Sequence, residues 1–451
     1  MAVPDLVRPG YPTGLGARGP NQTVARRRCV WGRLGMGALM AAYVIAWGVG
    51  GLLVSGPTDL DVFFVPAARI ALMGAPLKVY SPRYGGIWPN ANGPLSLIPL
   101  TGVAAIARVL GWLDDPARLH LLVMSAFAVF SLLLAWEGVA AVDRLRGSPV
   151  PGIWRVLTFG VFTLSPVLWH GVLFYGHIEL PIAFWLTLFS VRALAEGRPA
   201  RAGLGLGLGI LTRSMVVIYL IALVMFLLVR WRWRAALVLA AVAVASAGLG
   251  LLPFYLADKS DLLYSLVVFR GQLLVGGGSI WGLFLGTPLE ALGQHADSIF
   301  ILAAVALVSA GVGLARRDLS PAGRDLYGLL ALCGLCFPLL IKTLWPYYFL
   351  DPYLFIAIWW LGQAGGWRRP ARWLGAALLV FFVACEGLAE ADAEVTNDTV
   401  LRLHLTQSIT AALLTFMLVF GGWLVIARRG KLGTTARTAA PADTAAPASV
   451  G

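Results

Sequence analysis

Long apolar runs separated by short polar connections dominate this sequence and limit what it can fold into. A helix that crosses a bilayer needs about 20 mostly apolar residues. Runs near that length recur along the chain, and several contain glycine or proline. They cover residues 34–54, 93–112, 119–141, 153–174, 178–195, 202–229, 235–257, 298–315, 326–343, 347–362, 371–388 and 406–427. We therefore predict an all-α polytopic membrane protein with about 11 to 13 transmembrane helices.

The charge content supports the membrane class. Charged residues make up 13% of the chain and hydrophobic residues 59%, whereas a soluble globular protein averages about 25% charged residues. Much of the net charge of +13 falls in short clusters between the apolar runs. Such clusters mark the cytoplasmic loops of membrane proteins. The composition therefore predicts the lipid bilayer as a partner and excludes nucleic acid as one.

The basic clusters also predict how the chain is oriented. They lie near residues 26–28, 143–146, 196–201, 230–234, 315–317, 368–369 and 428–429. With these loops and both termini in the cytoplasm, the loops 55–92, 175–178, 258–297, 343–347 and 388–405 lie outside. We predict a multi-pass protein of the cell membrane, in which residues 33–430 form the transmembrane domain. Residues 1–32 and 431–451 are predicted to be disordered cytoplasmic tails.

Two segments do not fit a simple alternation of crossings. Arg201 and Arg230 flank one apolar run, so this run must cross twice to keep both on one side. We predict two short helices that meet at Arg213. The glycine repeat at 203–209 is either a close-packed helix seam or a broken segment. One segment near 60–112 is predicted to be re-entrant or to lie along the membrane surface, within a first outer loop that carries surface helices.

The first outer loop opens with two carboxylates, Asp59 and Asp61, ahead of a predicted amphipathic surface helix at 62–73. A carboxylate held partly desolvated at a membrane face has a raised pKa and can accept a proton from an alcohol. That is the chemistry that a glycosyl acceptor hydroxyl requires. The alternative is structural, with Asp59 capping the following helix and Asp61 solvated.

Three basic residues are candidates for binding a phosphate group. Arg213 lies between two apolar runs, where an ionisable residue indicates function, and arginine suits phosphate. The alternative is an interfacial anchor. Lys342 ends another apolar run and is a second phosphate candidate. Arg270 shares its outer loop with Gly276–Gly278, a composition typical either of a mobile lid over a polyprenyl phosphate or of a plain connector.

Polar and aromatic residues of the outer loops are candidates for contacts with a sugar. His177 and Glu179 could contact a sugar or an attacking hydroxyl, although they could also form a polar turn. Trp345 fits the aromatic belt at a membrane interface, which is the alternative to a sugar contact. Tyr80 follows the predicted surface helix in the first outer loop.

Short motifs in a fixed order carry a resemblance to a known superfamily. They are Asp59-Leu-Asp-Val-Phe63, Ala67-Ala68, Leu72-Met-Gly74, Tyr80, Gly93-Pro94-Leu95, Pro99, Ser165-Pro166, Gly176-His-Ile-Glu179, and Ala202-Gly203 through Gly209 to Arg213. The ordered set extends over most of residues 33–362. It resembles the GT-C superfamily of integral-membrane glycosyltransferases, and it is most similar to bacterial polyprenol-phosphate-mannose-dependent mannosyltransferases.

The resemblance implies a catalytic Asp in the first outer loop, a lipid-phosphate sugar donor and inverting transfer on the outer membrane face. Asp59 matches the base best, and Asp61 is the neighbouring candidate. Many relatives carry Lys where this chain has Arg213. Some carry His where it offers Lys342 and Trp345. Assigned to the donor phosphate are Arg213, Lys342 and Arg270; assigned to the acceptor or sugar are His177, Glu179, Tyr80 and Trp345.

The sequence therefore predicts a glycosyltransferase that moves a hexose, mannose by resemblance, to a lipid-linked or cell-envelope glycan. Asp-Leu-Asp has the DxD form that binds divalent metal in other glycosyltransferases. A monophosphate leaving group needs less neutralisation, which the arginines could supply, so we expect no metal. The alternatives are a lipid-linked-saccharide flippase or a polysaccharide polymerase. A transporter often has internal repeats, which are not evident here, and the early acid pair favours the transferase.

Overall fold

The computed structural model describes residues 20–54, 57–81, 88–150, 152–363, 370–394 and 399–426, without the side chains of 20–36, 153 and 370–372. These residues form helices and loops and contain no strand, which confirms the predicted all-α class. The helices are α1 (Pro20–Leu53), α2 (Val65–Leu72), α3 (Leu97–Val109), α4 (Pro116–Arg146), α5 (Gly152–Thr163), α6 (Pro166–Trp169), α7 (Glu179–Ala195), α8 (Pro199–Thr212), α9 (Val217–Leu228), α10 (Trp233–Ala257), α11 (Lys259–Leu263), α12 (Phe269–Gln272), α13 (Pro288–Ala315), α14 (Arg324–Leu340), α15 (Leu350–Leu361), α16 (Pro370–Glu394) and α17 (Thr399–Ile426).

Six helical segments within the described ranges are long and apolar enough to cross a membrane. They are Pro116–Arg146, Trp154–Phe174, Trp233–Ala257, Pro288–Ala315, Trp373–Glu394 and Thr399–Ile426. The chain is thus a multi-pass membrane protein. Several other predicted spans form shorter helices, of 12 residues in α9 and 17 residues in α7. The total of 11 to 13 crossings therefore stays a prediction.

Helices α8 and α9 form the predicted pair of short helices that meet at Arg213. Its backbone is extended (φ −147°, ψ 118°), which ends α8. Gly203 lies against Leu239, and Gly250 lies against Leu211, so α8 runs parallel to α10. Helix α9 packs against α10 and joins it through a short turn. The α8–α9 hairpin therefore returns the chain to the end of the bundle where α8 begins.

The glycine repeat of α8 is a close-packed seam, one of the two alternatives. A methyl group added at Gly205 would collide with Ser190 of α7, and one added at Gly207 would collide with Ser246 of α10. Small residues allow helix backbones to approach this closely in membranes. The seam holds α8 between two neighbours and so fixes the position of its C-terminal end.

The catalytic candidates lie at one end of the bundle, and the arginine clusters that close the short connections between helices lie at the other. Helix α7 runs antiparallel to α8, which brings Glu179 and Arg213 to the same end as Asp59; we call this the site end. The opposite end carries arginines at helix termini and turns, namely Arg144, Arg192, Arg201, Arg230 and Arg316. This separation is the one that the basic clusters predict.

The first loop contains the predicted amphipathic helix. A one-turn π segment at Leu60–Phe64 leads into α2, which buries Ala67, Ala68 and Ile70. Helix α3 has 13 residues and is therefore about 20 Å long, shorter than a hydrocarbon core of about 30 Å. Helices α8 and α9 are about as short, so the re-entrant or surface segment near 60–112 stays a prediction.

Two helix boundaries differ from the sequence predictions, and parts of the predicted tails lie outside the described residues. Helix α13 begins at Pro288 rather than near residue 298, because a polar first part precedes its apolar run. The backbone of α1 begins at Pro20, within the predicted N-terminal tail. The rest of that tail and the C-terminal tail at 431–451 lie outside the described residues, so this division into domains stays a prediction.

Candidate functional site

Asp61 holds the turn at the start of the first loop. Its Oδ2 accepts hydrogen bonds from the backbone N–H of Thr58 (2.8 Å) and from Thr58 Oγ1 (3.0 Å). Its Oδ1 lies 2.8 Å from Nε2 of His120. Burial alone would raise the pKa of Asp61, but these partners outweigh burial and hold the pKa below its usual range. Asp61 is thus neither solvated nor free.

Three titratable side chains, Asp59, His177 and Glu179, lie in a row, which we call the acid row. Oδ2 of Asp59 lies 3.0 Å from Nε2 of His177, which is ion-pair distance without hydrogen-bond alignment. Nδ1 of His177 lies 2.7 Å from Oε1 of Glu179. His177 and Glu179 are buried, whereas the side chain of Asp59 is 36% exposed. Asp59 makes no capping hydrogen bond, and Asp61 is held by Thr58 and His120, so neither acid has the role that the structural alternative gave it.

The electrostatic balance within the acid row favours the charged form of the His177 imidazole. Burial by itself lowers the pKa of His177. The flanking carboxylates, chiefly Glu179 and then Asp59, outweigh burial and raise the pKa of His177 to about 9. An imidazolium between two carboxylates compensates buried negative charge and fixes the orientation of both acids.

Gly176 allows the two loops that carry these residues to meet. Its φ of +76° lies in the left-handed region, which glycine adopts without strain. A Cβ atom there would also lie 2.5 Å from the backbone nitrogen of Leu60 and 2.7 Å from Thr58 Oγ1. The Asp59 backbone N–H donates to the Tyr175 carbonyl at 3.0 Å. The turn at Asp59 and the segment before α7 are therefore locked together.

Arg213 is a buried cation beside the acid row. It is 6% exposed, and its Cζ lies 5.7 Å from the ring centre of Tyr347 and 5.8 Å from that of Tyr348. Glu179 and Asp351 act on it electrostatically without forming an ion pair. No other described residue forms a hydrogen bond or an ion pair with the guanidinium. Its five N–H donors are available to an anion.

Arg270 reaches the tip of the α8–α9 hairpin from the large loop. Its Nη1 donates to Ser214 Oγ at 2.8 Å, and its Nη2 donates to the Ala91 carbonyl at 3.3 Å. Ser214 is exposed and follows Arg213 directly. The two predicted phosphate-binding arginines therefore lie at one place, with Arg213 buried and Arg270 partly exposed.

A group of aromatic side chains, the aromatic wall, connects the acid row with the two arginines. The ring of Tyr347 lies 3.9 Å from that of His177 and 5.2 Å from that of Tyr175. Trp345 lies against Tyr175, with ring centres 6.0 Å apart. Trp345 and Tyr175 are partly exposed. Trp345 thus adjoins the aromatic wall, and its contact with a sugar stays a prediction.

Two predicted site residues bind the protein itself. Nζ of Lys342 donates to the carbonyls of Gly271 (2.8 Å) and Gln294 (3.2 Å), so the lysine fastens the large loop. The hydroxyl of Tyr80 donates to the Asn92 carbonyl at 3.0 Å, and Tyr80 is 2% exposed. Both occupy structural positions, although Lys342 lies close to the loop of Arg270.

The expected lid glycines are held at both ends of their short run. Gly276 donates its N–H to the Lys342 carbonyl at 2.8 Å, and Gly278 donates to Thr406 Oγ1 at 2.9 Å. These bonds join the large loop to the segment after α14 and to α17. The arrangement is that of a connector, which was the alternative to a lid.

A second cluster of polar residues beside the aromatic wall was not foreseen. His170 Nδ1 lies 3.0 Å from Glu386 Oε1, and the Tyr175 hydroxyl donates to Glu390 Oε2 at 2.6 Å. Glu386 and Glu390 lie four residues apart on α16. Their only sequence signal is that carboxylates in or beside an apolar run are costly and often functional.

The two acids of the Asp-Leu-Asp motif have different partners. Asp59 lies at His177, and Asp61 lies at His120. Within the ranges that the structure describes, no group of three or more His, Cys, Asp or Glu side chains is arranged to hold a metal ion.

Comparison with known proteins assigns the family. A family model described as glycosyltransferase family 87 matches residues 97–343, which is more than half of the 451 residues. The chain belongs to glycosyltransferase family 87. No curated protein matches the chain. The family 87 match includes His177, Glu179, Arg213, Arg270 and Lys342. Asp59, Asp61 and Tyr80 precede it and Trp345 follows it.

Membership of family 87 confirms the membrane glycosyltransferase that the resemblance implied. A glycosyltransferase of this kind sits in a lipid bilayer and uses lipid and glycan substrates. The match to a transferase family favours an enzyme over the flippase.

Proposed function

We propose that this family 87 enzyme transfers mannose from a polyprenyl-phosphate sugar to a lipid-linked or cell-envelope glycan. Transfer takes place with inversion, on the extracytoplasmic face of the cell membrane. One observation carries the proposal. Asp59, a partly exposed carboxylate, pairs with His177, whose ring lies against Tyr347. Arg213, a buried guanidinium that has no hydrogen-bonding partner among the described residues, lies over the same Tyr347 ring. A base for a hydroxyl and donors for a phosphate are the two groups that this reaction needs.

In the proposed reaction, Asp59 accepts the proton of the acceptor hydroxyl while that oxygen attacks the anomeric carbon. The bond from this carbon to the phosphate oxygen breaks, and its electron pair stays with the phosphate. Arg213 and Arg270 neutralise the charge that grows on the leaving group. A single in-line displacement inverts the anomeric carbon. The donor is already activated, so the proposal includes neither a nucleotide nor a divalent metal.

The surroundings of the two acids favour Asp59 over Asp61 as the base. The polar partners of Asp61 among the described residues belong to the turn and to α4, so taking up a proton would weaken the hydrogen bonds that hold the turn. Asp59 is exposed on one side and supported by His177 on the other. We propose that His177 and Glu179 position Asp59, since both are buried, and that Trp345 provides a face for a sugar ring.

Lys342 and Tyr80 receive no direct contact with substrate in this proposal. Lys342 supports the position of Arg270 by fastening the loop that follows it. Tyr80 supports the segment at Asn92. For Lys342 to bind the phosphate and Tyr80 the sugar, their hydrogen bonds to backbone carbonyls would have to break.

The test is transfer of radiolabelled mannose from polyprenyl-phosphate-mannose to membrane acceptors. We expect Asp59→Asn to lose about 10²-fold or more in rate, the range that a general base contributes. Asp61→Asn should lower thermal stability more than transfer. Insertion and melting temperature of each variant serve as controls. Full activity of Asp59→Asn would contradict the assignment of the base, and a wild-type enzyme that uses only nucleotide sugars would contradict the donor.

A further inference from the structure

The segment from Trp88 to Gly93 forms one wall of the arginine site. Gly93 lies against the backbone of Leu211, the last turn of α8, so closely that no side chain fits there. The hydroxyl of Tyr80 and that of Ser96 donate to the carbonyls of Asn92 and Gly93, at 3.0 Å and 3.2 Å. The segment is therefore fixed at the hairpin tip from which Arg213 emerges.

Asn90 in this segment has a hydrogen-bond donor without a partner. The side chain is 3% exposed. Its Oδ1 accepts the backbone N–H of Asn92 at 3.1 Å, which sets the orientation of the carboxamide. Nδ2 on the other side is buried and forms no hydrogen bond with the described residues. Buried polar groups are nearly always paired, so this donor indicates a ligand.

The neighbours of Asn90 indicate which ligand it would bind. The carbonyl of the next residue, Ala91, accepts a hydrogen bond from Nη2 of Arg270. Nη1 of Arg270 donates to Oγ of Ser214, the residue that follows Arg213. Asn90, which carries the free amide, thus directly precedes the residue that binds the partly exposed guanidinium of Arg270. Two cations and a neutral donor suit the oxygens of a phosphate ester. A neutral amide adds direction without further charge.

We propose that Asn90 binds a non-bridging phosphate oxygen of the lipid-linked donor through Nδ2. This rests on the proposed function, because it takes the donor to be a polyprenyl-phosphate sugar. The donor phosphodiester carries one negative charge, and the polyprenyl monophosphate left after transfer carries up to two. The bond from Asn90 therefore strengthens as the sugar leaves, and it also holds the product.

The test is Asn90→Asp. The carboxylate keeps the acceptor for the Asn92 N–H, and it replaces the amide donor by an oxygen that repels phosphate. We expect the KM for the donor and the inhibition constant of polyprenyl phosphate to rise about tenfold or more, as for a lost charged hydrogen bond. Asn90→Ser also lacks the amide and is the second variant, for use if Asn90→Asp melts at a much lower temperature.

Gln272→Glu is the matched control. It makes the same change of amide to carboxylate two residues after Arg270, on an exposed side chain whose Oε1 accepts the Tyr264 hydroxyl at 3.3 Å. We expect its KM for the donor to change less than twofold. Equal losses in Asn90→Asp and Gln272→Glu would indicate a general charge effect and overturn the role of Asn90.

Binding without turnover separates this inference from the proposed function. Melting of the enzyme in neutral nanodiscs would be followed with polyprenyl monophosphate, with inorganic phosphate and with phosphatidylglycerol. We expect polyprenyl monophosphate alone to stabilise the wild type, and the stabilisation to be lost in Asn90→Asp. Equal stabilisation by all three would overturn the lipid phosphate as ligand. If mannose transfer fails while this pattern holds, only the proposed reaction is wrong; if transfer works and both Asn90 variants behave as wild type, only the inference is wrong.

Discussion

Single side chains explain why the chain places two acids only two residues apart. Asp61 accepts hydrogen bonds from Thr58 and lies at His120, so it shapes the turn. The turn brings Asp59 to His177, where the carboxylate stays partly exposed. Neither acid could replace the other, because the backbone aims their carboxylates at different partners, His177 before α7 and His120 on α4. The two acids thus act together: Asp61 holds the turn, and the turn positions Asp59, the candidate base.

The pairing of His177 predicts how stability depends on pH. Burial lowers its pKa, but Glu179 and Asp59 outweigh burial and raise the pKa to about 9. Because the folded pKa lies above the unfolded value of about 6.5, the stabilisation is complete below pH 6.5. It is lost as pH rises through 9, and it amounts to about 3 kcal/mol. We expect the melting temperature to fall between pH 6.5 and 9.5 by several degrees more in the wild type than in His177→Gln. Identical pH profiles would contradict the charged state of His177.

Sequence patterns could identify residues whose own position is unusual, but not those whose role comes from distant contacts. Arg213 was identified because a charge inside an apolar run is rare. His170 and Glu386 meet across 216 positions of sequence, and no local pattern records such a contact. Asn90 was not identified either, because its free amide exists only where the segment packs on the α8–α9 hairpin.

At the scale of elements, charge placement predicted the hairpin correctly. Arg201 and Arg230 required two crossings, and the structure provides two short helices with their joint at Arg213. The start of α13 was missed because Glu290, His295 and Asp297 interrupt the apolar pattern. Packing of these early turns against the large loop keeps them helical, and hydropathy alone does not contain that information.

The glycine seam predicts a strong effect of one methyl group. In Gly207→Ala the added Cβ would meet Ser246 and the backbone carbonyl of Ala243, which lies 2.6 Å away. Backbone cannot turn aside as a side chain can, so α8 must move away from α10. Overpacking of this kind costs about 1 to 3 kcal/mol. We expect a melting temperature several degrees lower and a raised KM for the donor, since α8 carries Arg213.

Gly248→Ala on α10 is the matched control for the seam. Gly248 is exposed, and an added Cβ would meet nothing within 4 Å. Alanine is the better helix former by about 1 kcal/mol, so stability should be unchanged or higher. A melting temperature that falls equally in both variants would show that α8 gains nothing from close packing.

In the whole molecule, the candidate site and the arginine-rich turns lie at opposite ends of the bundle. Asp59, Glu179 and Arg213 lie at the site end, where the chain also forms its long loops. The arginines of the opposite end, such as Arg144 and Arg230, close short turns between helices. The positive-inside rule predicts that the end rich in arginine faces the cytoplasm. The site end would then face outward, where a lipid-linked donor can meet a cell-envelope acceptor.

Labelling of introduced cysteines decides this orientation. Ser260→Cys lies at the site end and Ala200→Cys at the opposite end, and both positions are exposed. Cys333, Cys336 and Cys385 are buried, so a Cys29→Ser background should stay unlabelled. With a membrane-impermeant maleimide on intact cells, we expect Ser260→Cys to react at once and Ala200→Cys to react only after permeabilisation. The reverse pattern would put Asp59 on the cytoplasmic face, and the acceptor would then have to be a glycan made inside the cell.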